Sequence, residues 1–484
     1  MYSLLFDLVT QVMGMFFLFY GFAVIIIYMI ITLLSGLELR EQIKKNKFVD
    51  YKDVITTPVG PSVSILAPAY NEGKTIVQNV RSLLSLHYSR YEVIIINDGS
   101  KDDSIDLLIK NFDLRKTEFA FEQVIDTAKV KAVYKSNNPS FSKLIVVDKE
   151  NGGKADALNA GINISGQELI ACIDVDCILA PDSIVRMLRP FLEETNKKVI
   201  AVGGGIGIAN NCDIKDGTVV KYRVPDSLLG RFQVIEYFRS FLLGRLAWSR
   251  MNGLLLISGA FGFFDKELVL KVGGYFPKTV GEDMELVVRM RRYMEEQKLP
   301  YKVAFVSDPL CWTEVPETEE VLSKQRNRWM RGTIETLQLH RTMQLNPKYG
   351  FIGMISFPFW SLFEKNAPII ELLGAIYTII LIVMGDFSAL YFLSLFVLIY
   401  FFAVMLSSFS ILFEELAFDN YQEKGDLKKL ITTVLKEPLF IHPKIMSWCM
   451  KGHWQFIKGI GGWGEMVRVG FNNKLKSSSE NNGK

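Results

Sequence analysis

The sequence predicts a mostly parallel α/β domain combined with transmembrane α-helices, and three observations point to it. The composition is mixed: of 484 residues, 49% are hydrophobic and 22% charged, and mean hydropathy is +0.19. That is too apolar for an ordinary soluble domain and too charged for a bare membrane bundle. Three long apolar stretches stand apart from the rest. Between about residues 60 and 345, Val- and Ile-rich runs that end in acidic or glycine turns alternate with helical patterns, the signature of a parallel sheet.

The charge balance, 55 basic against 52 acidic side chains for a net +3, gives no basic excess for a nucleic-acid partner. Five cysteines and four histidines are dispersed without a CxxC pair. Neither a disulfide framework nor a zinc site is implied, and reduced, cytosolic thiols are expected.

Taken in order, residues 12–37 carry no charge and exceed the roughly 20 residues a bilayer requires. With no basic n-region they predict an anchor, residues 1–45, rather than a cleaved signal. "ELREQIKKNK" follows directly, so the positive-inside bias places the N-terminus outside and the next segment in the cytoplasm. Further spans are expected at 366–385 and 387–413, joined by an uncharged-to-acidic junction at Asp386 and followed by "QEKGDLKK". This predicts a multi-pass cell-membrane protein with both ends of the pair cytoplasmic. Glu371 falls inside the first of these spans, and either a polar channel or an interface role is open to it. Residues 351–363 contain Pro358 and are too short to span, so an interfacial helix opens the 351–415 membrane segment. Over 424–474, Lys444, Lys451 and Lys458 recur among Ile445, Met446, Trp448, Trp454 and Ile457. This predicts a helix on the cytoplasmic membrane face. Residues 475–484 are expected to be disordered.

Within the 60–345 domain, "SVSILAPAY", "YEVIIINDGS", "KLIVVDKE" and "ELIACIDVD" read as strands, and "KTIVQNVRSLLSL" as a helix with Ile76, Val80, Leu83 and Leu84 on one face. Ligand groups are expected at the carboxyl ends of such strands. There lie Asn71, Glu72, Asp98, Asp148, Asp174 and Asp176. Residues 111–142 form a long excursion with no assignable role.

Four clusters carry chemistry. In "ACIDVDC", Asp174 and Asp176 at strand spacing would point to one side about 7 Å apart, as ligands for Mg²⁺ or Mn²⁺ or as an exposed acidic turn. In "NGGKADALNAGI", a Gly turn leads to Lys154 at a helix start, where an anion would offset its clash with the helix dipole and free N–H groups could join in. A solvated lysine is the plain alternative. "VGEDMELVVRM" sets Glu282 and Asp283 in a first turn, where acidic residues stabilise a helix regardless, or where one serves as a general base. In "QRNRW", Gln325, Arg328 and Trp329 share a helix face, suited to phosphate and to a stacked sugar ring, or to lipid headgroups.

Together "APAYNE", "NDGS", "NGGKADALNAG", "DVD", "SGAFGFF", "VGED", "TEVP" and "QRNRW" resemble the family 2 processive glycosyltransferases, which include the synthases of cellulose, chitin, hyaluronan and poly-N-acetylglucosamine. The resemblance covers about residues 60–345 and implies a GT-A fold, a nucleotide-sugar-binding α/β domain on the cytoplasmic face. It implies that Tyr70, Glu72 and Asp98 contact the uridine of a UDP-sugar, and that Lys154 and Asp174 hold the nucleotide and diphosphate. Asp176 would bind Mg²⁺ or Mn²⁺, Asp283 would be the catalytic base, and Gln325, Arg328 and Trp329 would bind diphosphate and acceptor. Transfer would invert the anomeric carbon and extend a β-linked polysaccharide, best matched by UDP-N-acetylglucosamine, with accessory membrane or export subunits as further partners. The motif GED departs from the TED of cellulose synthases and the GDD of hyaluronan synthases, and no RxxxR and DxSxxG pair for a cyclic dinucleotide occurs in the tail. "TEVP" leans towards the poly-N-acetylglucosamine type. Two rival readings are single addition to a lipid-linked acceptor and an inactive membrane scaffold.

Overall fold

The continuous Val/Ile runs of the sequence become strands buried on both faces, as parallel strands between helical layers must be. The computed structural model describes residues 2–48, 60–215 and 217–460. They divide into two compact units: the described parts of Asn46–Pro225 and Leu254–Pro316 form one, and those of Met1–Lys45, Asp226–Gly253 and Glu317–Gly461 the other.

The first unit is built on a ten-stranded mixed sheet. Its strands are β1 (Val63–Ala69), β2 (Tyr91–Asp98), β3 (Leu114–Thr117), β4 (Val130–Ser136), β5 (Leu144–Lys149), β6 (Leu169–Ile173), β7 (Ile178–Leu179) and β8 (Lys198–Ile208). A separate two-stranded hairpin comprises β9 (Asp213–Lys215) and β10 (Thr218–Lys221), and β11 (Phe261–Asp265) and β12 (Tyr301–Thr313) complete the large sheet. Its order is β3-β4-β5-β2-β1-β6-β11-β8-β12-β7.

The registers decide where the site can be. Val63 of β1 lies opposite Tyr91 of β2 and Leu169 of β6, and Val93 opposite Leu144 of β5, all parallel. The carboxyl ends of these four strands therefore share one edge, where Tyr70, Asp98, the 151–153 turn and residues 174–177 follow. The antiparallel strand β11 adds to this edge from the other direction: Phe261 pairs with Ile173, so the residues before β11 reach the end of β6. Antiparallel pairing of β3 with β4, and of β4 with β5, makes two stretches of the 111–142 excursion an extension of the sheet.

In the second unit, Leu8–Asn46, Ala367–Met384 and Ala389–Ala417 are each long and apolar enough to cross a membrane. The first of these lies in an unbroken helix, Tyr2–Phe48, that runs on through the basic residues after the apolar stretch. Gly385, with φ of +81°, ends the second, and Ser388 caps the third by accepting from the Tyr391 N–H. Residues 351–365 form a continuous helical run, with wide turns at Ile352–Ser356 and Trp360–Lys365 on either side of Pro358. The His442–Ile457 helix departs from expectation. Ile445 and Trp448 do not face lipid; they are buried with Phe232, Leu322, Ile441 and Cys449. Trp454, Ile457 and the three lysines stay exposed, so only half of the apolar pattern is left for a membrane surface. Residues 461–484, including the expected tail, lie outside the described residues.

Candidate active site

The edge of the sheet gathers three of the four motifs. After β6 the chain does not stay extended, because the Cys177 N–H donates to the Asp174 carbonyl at 3.0 Å and closes a turn. This corrects the strand geometry expected for the DxD motif. Ligand atoms of Asp174, Asp176 and Cys177 all lie within 4.8 Å of one another, closer than the strand spacing would give. Asp176 is buried and Asp174 half-buried.

The donor set suits a hard divalent cation through its carboxylates. Cys177 is a poor companion for such an ion: a hydrogen bond with Cys311, and burial, push its thiol well above the ordinary range. The two carboxylates are thus the residues that fit Mg²⁺ or Mn²⁺.

Lys154 opens the Lys154–Ile164 helix and turns its ammonium onto this acidic turn. Its Nζ lies 2.5 Å from Asp174 and 3.8 Å from Glu282, and 3.4 Å from the Gly259 carbonyl oxygen. Burial alone would lower its pKa, but Asp174, Glu282 and Asp283 outweigh that and raise it. Lys154 is therefore charged, and in this state its partner is a carboxylate.

Gly259 lies between the Lys154 ammonium and the Asp283 carboxylate. Its N–H donates to Asp283 Oδ2 at 3.0 Å, while Asp283 Oδ1 accepts from the Met284 N–H at 2.8 Å. A Cβ at 259 would stand 3.2 Å from Lys154 Nζ and 3.4 Å from Asp283 Oδ2, so a side chain there would press on the lysine tip by a few tenths of an ångström. Of the acidic pair at the head of the Glu282–Glu296 helix, Glu282 is buried and Asp283 is half-buried. Asp283 is the more accessible of the two.

The glycine turn differs from expectation in a physically clear way. Gly152 and Gly153 do not offer their N–H groups to an external anion; they donate to Asp98, at 3.0 Å to Oδ1 and 2.8 Å to Oδ2. Lys149 Nζ adds 2.7 Å to Oδ1, and Asn151 Nδ2 adds 3.1 Å to Oδ2. A carboxylate has about four lone-pair sites, and here each is engaged internally. Asp98, expected to touch uridine, is held by Lys149 and the turn through these four bonds. Tyr70 is 47% exposed beside it, and the backbone N–H of Glu72 is fixed by Ser104 Oγ at 3.0 Å.

Gln325, Arg328 and Trp329 belong to the second unit, on the Glu319–Leu339 helix, where their i, i+3, i+4 spacing keeps them on one face. Trp329 is 42% exposed. The guanidinium of Arg326 covers one side of its ring at 4.3 Å and is held by Glu236 through two bonds of 2.6 Å. Arg326 and Glu236 escape a sequence reading because their pairing joins positions 90 residues apart. Lys149 escapes it for a similar reason: nothing in a strand or helix pattern names a partner on another element. The Glu371 carboxylate meets His442 Nε2 at 3.0 Å, near the start of its apolar helix.

A sheet with acidic strand ends, a lysine on the first carboxylate of a DxD turn and an aspartate aimed from a helix start define a GT-A glycosyltransferase domain. Residues 61–332 match the family described as "Glycosyltransferase like family 2", and the chain belongs to that family. It is 31% identical over 277 residues to a poly-beta-1,6-N-acetyl-D-glucosamine synthase of Staphylococcus epidermidis, covering 57% of this chain and 55% of that protein. A Staphylococcus aureus protein of the same name is 31% identical over 278 residues with the same shares. The chain thus spans about half the length of these relatives. Among solved structures, the mannosyltransferase PcManGT from Pyrobaculum calidifontis, in complex with GDP-Man and Mn²⁺, matches with TM-score 0.51 at 15% identity, over 90% of this chain and 99% of that one. This match supports the fold.

Proposed function

We propose that the protein is a membrane-embedded, inverting glycosyltransferase that moves N-acetylglucosamine from UDP-N-acetylglucosamine to a growing β-linked polysaccharide, with synthesis coupled to export. The observation that carries this reading is the convergence of Lys154, Asp174, Asp176 and Asp283 on one edge of a GT-A sheet. The names of the staphylococcal relatives favour N-acetylglucosamine over other sugars.

Asp176, with Asp174, would hold a divalent cation, as the Mn²⁺ of the mannosyltransferase neighbour suggests. Such an ion supplies positive charge against a diphosphate leaving group. Lys154 adds a second cation for the same diphosphate. Asp283 accepts the proton of the acceptor hydroxyl as its oxygen bonds to the anomeric carbon. The bond from that carbon to the phosphate oxygen breaks at the same time, and UDP leaves with the electron pair. Attack from the face opposite the leaving group inverts the configuration. Gln325, Arg328 and Trp329 serve the diphosphate and acceptor, the exposed side of the indole offering a sugar ring its apolar face. The three candidate spans and the basic residues after the first support a reading with catalysis in the cytoplasm and the product passing through the bilayer.

The test offers membranes containing the protein a panel of radiolabelled UDP-sugars with Mg²⁺ or Mn²⁺ and sizes the products. Long, precipitable polymer from UDP-N-acetylglucosamine is expected. A single sugar on a lipid would replace processive synthesis with single addition, and no turnover of any sugar nucleotide would remove the enzymatic reading.

A further inference from the structure

Lys149 is a wholly buried cation that no step above uses. It ends β5, its side chain is 0% exposed, and its Nζ lies 2.7 Å from Asp98 Oδ1 and 2.5 Å from Asp156 Oδ1. The Glu150 carbonyl oxygen accepts at 2.7 Å. Of the ammonium's three N–H donors, Asp98 and the Glu150 carbonyl take two, and Asp156 adds an ion-pair contact. Burying an amine in this way is costly unless every bond is kept.

The consequence lies in what the two carboxylates do next. Asp98 holds the N–H groups of Gly152 and Gly153, the latter at φ of +88°, a conformation that glycine adopts readily. Asp156, in the first turn of the Lys154–Ile164 helix, accepts the Ala128 N–H on its other oxygen at 3.0 Å. Asn163, two turns further along the same helix, takes Ile125 from both sides: it accepts the Ile125 N–H at 3.0 Å and donates to the Ile125 carbonyl at 2.8 Å. The 118–129 part of the excursion is therefore tied at two points to the helix whose first residue is Lys154.

We propose that Lys149 and Asp156 are positioning residues for donor binding, and that the 118–129 loop is the outer tether of the same device. Lys149 locks Asp98 to Asp156, Asp98 locks the 151–153 turn, and the turn fixes the point at which Lys154 leaves the backbone. This inference rests on the reading of Lys154 as a diphosphate ligand.

The experiment pairs donor kinetics with amide hydrogen exchange on the full-length protein, after wild-type binding of UDP-N-acetylglucosamine has been shown. Absence of that binding would count against the proposed function and leave the exchange arm to decide the network. Lys149→Met should raise the donor KM about tenfold, the loss of roughly 1.4 kcal/mol, with kcat within about twofold, and should speed exchange at Gly152 and Gly153. Lys149→Arg should recover part of the KM effect. Should Lys149→Met fail to fold, Ala128→Pro removes the N–H that reaches Asp156, stiffens the loop at that point, and should move KM and exchange in the same direction by about threefold. Folded variants with unchanged donor KM, or unchanged protection of residues 152 and 153, would overturn the proposal.

Discussion

Asp283 has both carboxylate oxygens engaged by backbone N–H groups, Gly259 on one and Met284 on the other, which aims it without neutralising it. Each oxygen retains lone-pair capacity for an acceptor hydroxyl. Asp283→Asn preserves size and shape but cannot take the proton. It is expected to bind donor normally and to lose transfer by about a hundred- to ten-thousand-fold, the usual cost of a missing general base. Equilibrium binding of UDP-N-acetylglucosamine beside single-turnover transfer checks the two halves separately. Transfer at the wild-type rate would hand the role to another carboxylate, with buried Glu282 the nearest in sequence.

Among the elements, the Glu319–Leu339 helix shows how a motif acquires meaning from its packing. One indole face of Trp329 is covered by Arg326, so a single face remains to stack on a sugar. Trp329→Ala should leave nucleotide binding intact and remove a stacking surface worth about 1–3 kcal/mol, by analogy with bases stacked on aromatic side chains. The expected phenotype is slow hydrolysis of donor to free UDP with little polymer, read by comparing released UDP with precipitable product. Chains of normal length and yield would reduce Trp329 to a membrane-interface residue. Helix spacing makes Gln325, Arg328 and Trp329 legible in the sequence as one face, and alternation with helices makes β1, β2, β5 and β6 legible as strands. The period of an element says which residues share a side; it is silent on what another element brings to that side. This is why the Arg326–Glu236 pair, the Lys149 network and the antiparallel entry of β11 emerge only from the fold. The DxD turn fails for a different reason: a local bond, Cys177 N–H to Asp174, overrides the extended geometry that strand spacing assumes.

For the whole molecule, the three candidate spans among the described residues make the topology testable at two positions. Ser388 lies in the junction between the Ala367–Met384 and Ala389–Ala417 helices and is exposed, and Ser100 follows β2 in the sheet unit. A cysteine at 388 should react with a membrane-impermeant maleimide in intact cells, and one at 100 should react only after lysis. Of the native cysteines, Cys172, Cys177, Cys311 and Cys449 are buried and Cys212 is partly accessible, so Cys212→Ser is the sensible background. Reaction at 100 in intact cells would invert the orientation and with it the cytoplasmic placement of catalysis.

The grip of Lys154 on Asp174 has a thermodynamic consequence. While the lysine stays there, the DxD turn carries its own counter-ion and has reduced appetite for a free cation. When a diphosphate draws the ammonium away, the turn regains a full negative charge at the moment a metal is useful. Nucleotide and metal should therefore bind cooperatively, and linkage requires each to strengthen the other by the same factor. Titration of Mn²⁺ into the purified protein with and without saturating UDP is expected to show tightening of about tenfold, near the middle of the usual range for such coupling. Asp176→Asn should abolish the ion in both titrations, and identical Mn²⁺ affinities in wild type would mean that the lysine never lets go. A site of this kind stays closed to stray cations until its cargo arrives.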